Sequence, residues 1–241
     1  GGSAATGTFA SRYWRCDTVI LADAPRIYYK LNETGTTTTA ADSSGNARDG
    51  TYQGTVTKGV ASPCTRDGGT AVTFAGTNRY VSLATSLTVP TTISLEARFK
   101  TTSSSTTGLI VGFGASATGA SLSTDRVVYL ATGGRVVFGM NNLLKTTIAS
   151  TASYNDGTWH HVLATAGPDG MRLYVDGAQV ATSSATFTAT YNGCFRVGYD
   201  SLTGWTPAAS SGQFLGSVDE AAVYTATLSA ADALEHYRAA T

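Results

Sequence analysis

Apolar and polar residues alternate in short runs along most of this chain. From residue 70 onward the runs are regular: TAVTFAG (70–76), RYVSLA (79–84), TISLEARFK (92–100), GLIVGFG (108–114), RVVYLAT (126–132), RVVFGMN (135–141), LKTTIAS (144–150), FRVGYD (195–200) and SGQFLGSVDEAAVY (211–224). A period of two over four to eight residues marks a strand with one buried face. The strongest stretch is Tyr154 to Val180. There Trp159, His161 and Leu163 alternate with His160, Val162 and Ala164, a Gly167-Pro168-Asp169-Gly170 turn cluster follows, and Met171 to Val175 alternates again. Gly133-Gly134 and Asp176-Gly177 read as hairpin turns that call for positive φ. Upstream, RIYYKLNE (26–33) reads as a strand, with shorter extended pieces at 51–53 and 56–60.

One helix is predicted, at the end of the chain. Ser229 is its N-cap, Asp232 sits at the third helical position, and Leu228, Ala233, Leu234 and Tyr237 repeat at helical spacing over residues 229–239. Strands do not alternate with helices, which excludes α/β folds, and turn signals at this spacing predict an all-β antiparallel sandwich or barrel.

The 241 residues carry no net charge, and only 13% of them are charged. Without a basic stripe, nucleic acid is not an expected partner. No apolar run is long enough to span a bilayer. The start, GGSAATGTFA, has neither a Met nor a charged-then-apolar leader, as expected either of a processed chain or of a cloning scar at Gly1-Gly2-Ser3. Residues 1–21 read as an extension packed on the domain through Phe9, Tyr13 and Trp14, and residues 22–241 as the domain itself. Of three cysteines, Cys16 and Cys64 lie outside the strand patterns and are expected to pair, and Cys194 is expected to be a packed thiol; the alternative is three buried thiols. Few lysines, many threonines and a disulfide suit a secreted or cell-surface protein.

The pieces PRIYYKLNE, DSSGNARDG, VTFAGTNRYVSL, ISLEARFK, DGTWHHV, MRLYVDGAQVA and GSVDEAAVYTATLSAADALEHYRA occur in that order. Together they resemble a laminin-G-like domain of the concanavalin A-like lectin/glucanase superfamily, in its bacterial surface-protein branch, over about residues 22–240. The resemblance implies a two-sheet jelly roll whose concave face and rim loops bind sugars or proteins. It also implies a structural Ca²⁺, a core role for Trp159 and structural histidines; His236, on the terminal helix, is expected to be half exposed.

Calcium takes six to eight oxygen ligands in irregular geometry. Asp42, Asn46 and Asp49 offer oxygens within one Gly-bent loop, Glu33 ends the preceding strand, and by resemblance Asp219 on the last strand lies close by. The alternative is that Asp42 and Asn46 form Asx-turns. For sugars, the candidate is the long loop YDSLTGWTPAASSGQ (199–213), with Tyr199, Asp200 and Trp205 as ligand-binding residues on an exposed rim and the 116–125 loop facing it. Here the alternative is that Trp205 covers the sheet edge and nothing binds.

Glycoside hydrolysis needs two carboxyls facing each other across a site. No strand carries acids at i and i+2 or i+4; Glu96 stands alone, and Asp219 and Glu220, being adjacent, should point to opposite faces. No nucleophile elbow or phosphate loop is present either. The expected function is therefore a non-catalytic carbohydrate-binding or adhesion domain, monomeric, from a secreted or surface bacterial protein, with a glycan or cell-surface protein as partner. The alternative is a structural or protein-interaction domain without a sugar ligand.

Overall fold

The computed structural model describes residues 15–142 and 144–240. Phe9, Tyr13 and Trp14, expected as anchors, lie outside them. Helix α1 (Cys16–Ala22) is followed by β1 (Ile27–Tyr29), β2 (Thr39–Ala40), β3 (Gly50–Gln53) and β4 (Thr57–Ala61). Next come β5 (Thr70–Phe74), β6 (Tyr80–Leu83), β7 (Leu87–Val89), β8 (Ile93–Lys100), β9 (Leu109–Gly114) and β10 (Thr124–Leu130). The chain then forms β11 (Arg135–Asn142), β12 (Leu144–Ser153), β13 (His160–Gly167), β14 (Gly170–Val175), β15 (Ala178–Ser183), β16 (Tyr191–Val197), β17 (Gly216–Tyr224) and α2 (Ala230–Arg238).

All strand pairs are antiparallel and fall into two sheets. The back sheet runs β15-β14-β13-β8-β17-β5-β4, with β1 also on β17; the front sheet runs β12-β11-β10-β9-β16-β6-β3-β2, with β7 also on β16. This is the two-sheet antiparallel jelly roll expected from the sequence. Alternation fills the space between the sheets. On β8, Ile93, Leu95, Ala97 and Phe99 point inward, and on β13 so do Val162, Ala164 and Ala166. The expected tight turns form, with φ of 88° and 83° at Gly133 and Gly134 and 53° and 77° at Asp176 and Gly177.

Neither outer face is left bare. A second cluster on the back sheet joins Leu163, Tyr174, Ala222 and Tyr224 to Val19 and Ile20 of α1 and Ala233 of α2. A third, on the front sheet, joins Leu109, Val127, Tyr129 and Val137 to Leu202 and Trp205 of the 199–213 loop.

Helix α2 forms as predicted, with a complete capping box between Ser229 and Asp232. Helix α1 was not evident from periodicity. It is only seven residues long and no side chain caps it; its Asp17 N–H donates to Asp67 Oδ2 at 2.9 Å instead, and its Cys16 is bonded to Cys64. Cys194 is a buried free thiol. A cross-link spanning 48 residues removes about 4 kcal/mol of chain entropy from the unfolded state. Cys64→Ser is therefore expected to lower the denaturant-unfolding free energy by roughly that amount, with reduction of the native protein giving the same loss. No change in midpoint would refute the coupling.

Candidate functional site

The front-sheet loop 199–213 is folded onto its own sheet. Gly139 on β11 makes room for it: a Cβ there would lie 2.3 Å from the Trp205 ring. Trp205 is only 2% exposed, and its Nε1–H donates to Thr124 Oγ1 at 2.9 Å. Thr124 in turn donates to Ser201 O at 3.0 Å, Tyr129 OH donates to Pro207 O at 2.7 Å, and Lys145 Nζ lies 5.0 Å over the Trp205 ring. Trp205 therefore does not stand on an exposed rim, as expected for a stacking residue; it is the plug that fixes the loop.

Asp200 is corrected in the same way. It is fully buried, and its carboxylate accepts Ser121 N–H at 2.7 Å, Ser121 O–H at 2.9 Å and Ser201 N–H at 2.7 Å. Those bonds tie the 199–213 loop to the 116–125 loop, which does face it. Tyr199 alone of the three keeps an accessible ring: it is half-buried, pairs with Gln213 across an isolated bridge, and rests at 5.4 Å on Tyr80. The loop encloses a cleft of about 400 Å³ lined by Tyr199, Ser201, Thr203, Ser210 and Ser211, with Trp205 at its base. Its walls mix these hydroxyls and the Tyr199 ring with the apolar side chains of Leu202, Ala208 and Ala209.

Of the residues expected to bind calcium, Asp42, Asn46 and Asp49 share one hydrogen-bonded loop, with Glu33 on the neighbouring Ala41 N–H, whereas Asp219 does not join them. Asp42 accepts Tyr28 N–H and Ser44 N–H at 3.0 Å each on Oδ1, and Ser44 O–H at 2.8 Å and Arg48 N–H at 2.9 Å on Oδ2. Four donors occupy the lone pairs of a carboxylate; burial works against its charge, but these bonds outweigh that and hold its pKa below the ordinary value. Asp49 accepts Asp42 N–H, Asn46 donates to Pro25 O and Arg26 O, and Glu33 accepts Ala41 N–H and Tyr52 O–H. Asp219 belongs to a different group, on the outer face of the back sheet.

That group corrects a second expectation. Asp219 and Glu220 do not point to opposite faces. The register slips between Asp219 and Ala222, and Glu220 takes φ 52° in the left-handed region. This bulge turns both acids outward, where they lie buried beneath the Cys16–Cys64 bridge. Ser62 Oγ donates to Asp219 and Tyr28 OH donates to Glu220. Burial pushes Asp219 up to about 7, and burial plus the Asp219 charge drives Glu220 well above its ordinary value. Arg98, the cation beside them, donates to His236 O; Arg98 Nε and Asp219 Oδ1 lack partners. The paired carboxyls thus exist, but under a helix and a disulfide rather than in an open cleft.

Beside them Glu96, the single acid of its strand, accepts His161 Nε2–H at 2.8 Å, Tyr224 O–H at 2.5 Å and His236 Nδ1–H at 3.0 Å. His236 Nε2 faces Asp23 Oδ2, also at 3.0 Å. Both ring nitrogens meet carboxylates, so His236 is an imidazolium. Burial opposes its charge, but Glu96 and Asp23 outweigh that and raise its pKa to about 9. His236 is buried, not half exposed. Burial of Glu96 is likewise outweighed by the two histidines, which hold it well below the usual carboxylate range. His160 and His161 lie on opposite faces, as alternation requires, whereas Trp159 is half-buried ahead of β13 rather than in the core.

This architecture, two curved antiparallel sheets with a loop folded over the front one, defines the lectin-like class of jelly roll. The chain belongs to the laminin G-type family of the concanavalin A-like lectin/glucanases superfamily, which matches residues 75–233. Among solved structures it resembles domain 4 of AbnA, a GH43 extracellular arabinanase from Geobacillus stearothermophilus solved with arabinotriose. There the TM-score is 0.62 at 17% identity, covering 88% of this chain and 97% of that one. It also resembles a botulinum neurotoxin type C structure whose cell entry depends on two ganglioside molecules (TM-score 0.65, 13% identity, 93% of this chain and 53% of that one) and Trypanosoma rangeli sialidase (0.59, 12%, 88% and 32%). The chain thus spans about half of the toxin chain and a third of the sialidase. No curated protein matches it in sequence. No helix among the described residues is long and apolar enough to cross a membrane.

The acid pair makes the fold pH-dependent. With Asp219 at about 7 when folded against 3.8 unfolded, the folded state holds the extra proton between those values. Stability should therefore fall as pH rises across that window, by about 1.4 kcal/mol per pH unit for each such proton. His236, raised to about 9 from 6.5, acts in the same direction: its contribution is complete below 6.5 and is lost as pH rises through 9. The melting temperature is expected to be higher at pH 5.5 than at pH 8, and Glu220→Gln should narrow the gap by stabilising the protein at pH 8. A melting temperature that climbs toward pH 8 would contradict the burial of the pair.

Proposed function

We propose that this is a non-catalytic carbohydrate-binding domain of a secreted or cell-surface protein, which takes its glycan in the cleft of the 199–213 loop. The observation that carries the reading is the recess itself. It is held rigid by the buried Trp205 and Asp200, lined in part by hydroxyls, and offers the Tyr199 ring as its accessible aromatic surface. Saccharides are held by such a combination, in which a ring packs against sugar C–H groups and nearby polar atoms fix orientation. The likeness to the arabinanase domain solved with arabinotriose and to the ganglioside-dependent neurotoxin supports the same class. A catalytic reading finds less support: the Asp219–Glu220 pair is roofed over, and Glu96 is spent on its histidines.

Tyr199 takes over the stacking role expected of Trp205. On a glycan array, Tyr199→Ala should abolish binding; because the half-buried ring packs on Tyr80, it should also cost about 1 kcal/mol of stability, the usual loss for a partly packed side chain. Trp205→Ala should instead cost about 3–5 kcal/mol of stability, the ordinary loss for a buried aromatic. Silence of the native domain across a broad array would favour a protein-interaction role. Calcium has no part in this reading because the lone pairs of Asp42 are already engaged; chelation is expected to leave the melting temperature unchanged, and a fall would mean that the loop reorganises around an ion.

A further inference from the structure

A second recess opens at the other end of β16. Its volume is about 570 Å³, and Ser123, Asp125, Asn141, Asn142, Thr190 and Tyr191 line it. Three separate segments meet there: the start of β10, the end of β11 and the start of β16.

The floor is built at some cost. Arg126 holds φ 49°, strained for a residue with a side chain, and the β9–β10 register slips between Asp125 and Val128. The slip places Asp125 and Arg126 as a buried ion pair, both almost without exposure. Asp125 Oδ1 accepts Arg126 N–H at 2.6 Å and Asn141 N–H at 2.7 Å. The Arg126 guanidinium also donates to Pro90 O at 3.1 Å and Ala189 O at 2.9 Å, and lies 6.0 Å from the Tyr191 ring. Tyr191, half-buried, donates its O–H to Ser123 O at 2.7 Å, which pins the ring against one wall.

A non-glycine residue held at positive φ by a buried ion pair beneath a recess points to a site. The floor is an internally neutralised, fully bonded ion pair, so it puts no net charge beneath the recess. The walls supply two amides, a threonine hydroxyl and one ring face. We infer that this recess is a second saccharide subsite, selective for an uncharged sugar unit whose hydroxyls meet Asn141, Asn142 and Thr190 and whose C–H face packs on Tyr191. It rests on the carbohydrate reading for its ligand class but not on the Tyr199 cleft. Tyr191 and Tyr199 are eight residues apart along an extended strand, on the order of 25 Å, so one sugar ring cannot touch both. A chain of sugars, or two glycans at once, can.

The test is an amide chemical-shift titration of the full chain with arabinotriose, lactose and α-mannobiose. Expected are shifts at Asn141, Asn142 and Tyr191 that saturate independently of those at residues 199–213. Asn142→Ala, or Thr190→Ala should the first variant misfold, should weaken the first set about tenfold, the loss of one good hydrogen bond, without moving the second. Shifts confined to residues 199–213 would overturn the second subsite and leave the cleft standing. Shifts confined to the Tyr191 recess would support it and overturn the cleft, and silence at both with all three sugars would overturn both.

Discussion

Glu96 is an ionised carboxylate in a place that water does not reach, and the back of the domain is arranged around that charge. His161 answers it from the next strand, Tyr224 from the last strand, and the imidazolium of His236 from the terminal helix. His236 then needs a second acceptor and finds it in Asp23, just past α1. A single buried charge therefore joins two helices from opposite ends of the chain to one sheet. Such networks contribute little net stability when intact, yet losing one partner strands a charge, at about 3–5 kcal/mol. What they supply here is one permitted docking position for each helix.

The front of the domain is settled by packing. A glycine on β11 leaves a socket, Trp205 fills it, and the loop that carries Trp205 becomes part of the sheet's outer layer. The recess beside Tyr199 is what this arrangement leaves open. The two faces thus use different physics: ion pairs hold the helices on the back, and a buried ring holds the loop on the front.

Much of the fold was legible because period-two alternation and turn chemistry are local. The β8 and β13 runs, the Gly133-Gly134 and Asp176-Gly177 turns and the Ser229 cap all form where expected. The failures are non-local. Alternation assigned Asp219 and Glu220 to opposite faces, but a bulge with a non-glycine residue at positive φ has no sequence signature. Helix α1 depends on Asp67 and Cys64, about fifty residues away, and so has no pattern of its own. Trp205 read as exposed because glycine and proline flank it, and only the gap at Gly139, on another strand, reveals that it is buried. The location of the candidate site was legible from loop length; which of its residues face outward was not.

Helices α1 and α2 both lie on the back sheet, while both recesses are lined by front-sheet strands and the loops beside them. Anything joined to the chain after Arg238 would leave from the side away from the recesses, and the described part of the amino-terminal segment starts on that side too. Coupled to a bead or a sensor chip through its carboxyl end, the domain should present both recesses to the liquid. Its geometry suits oriented display, with no linker crossing the working surface.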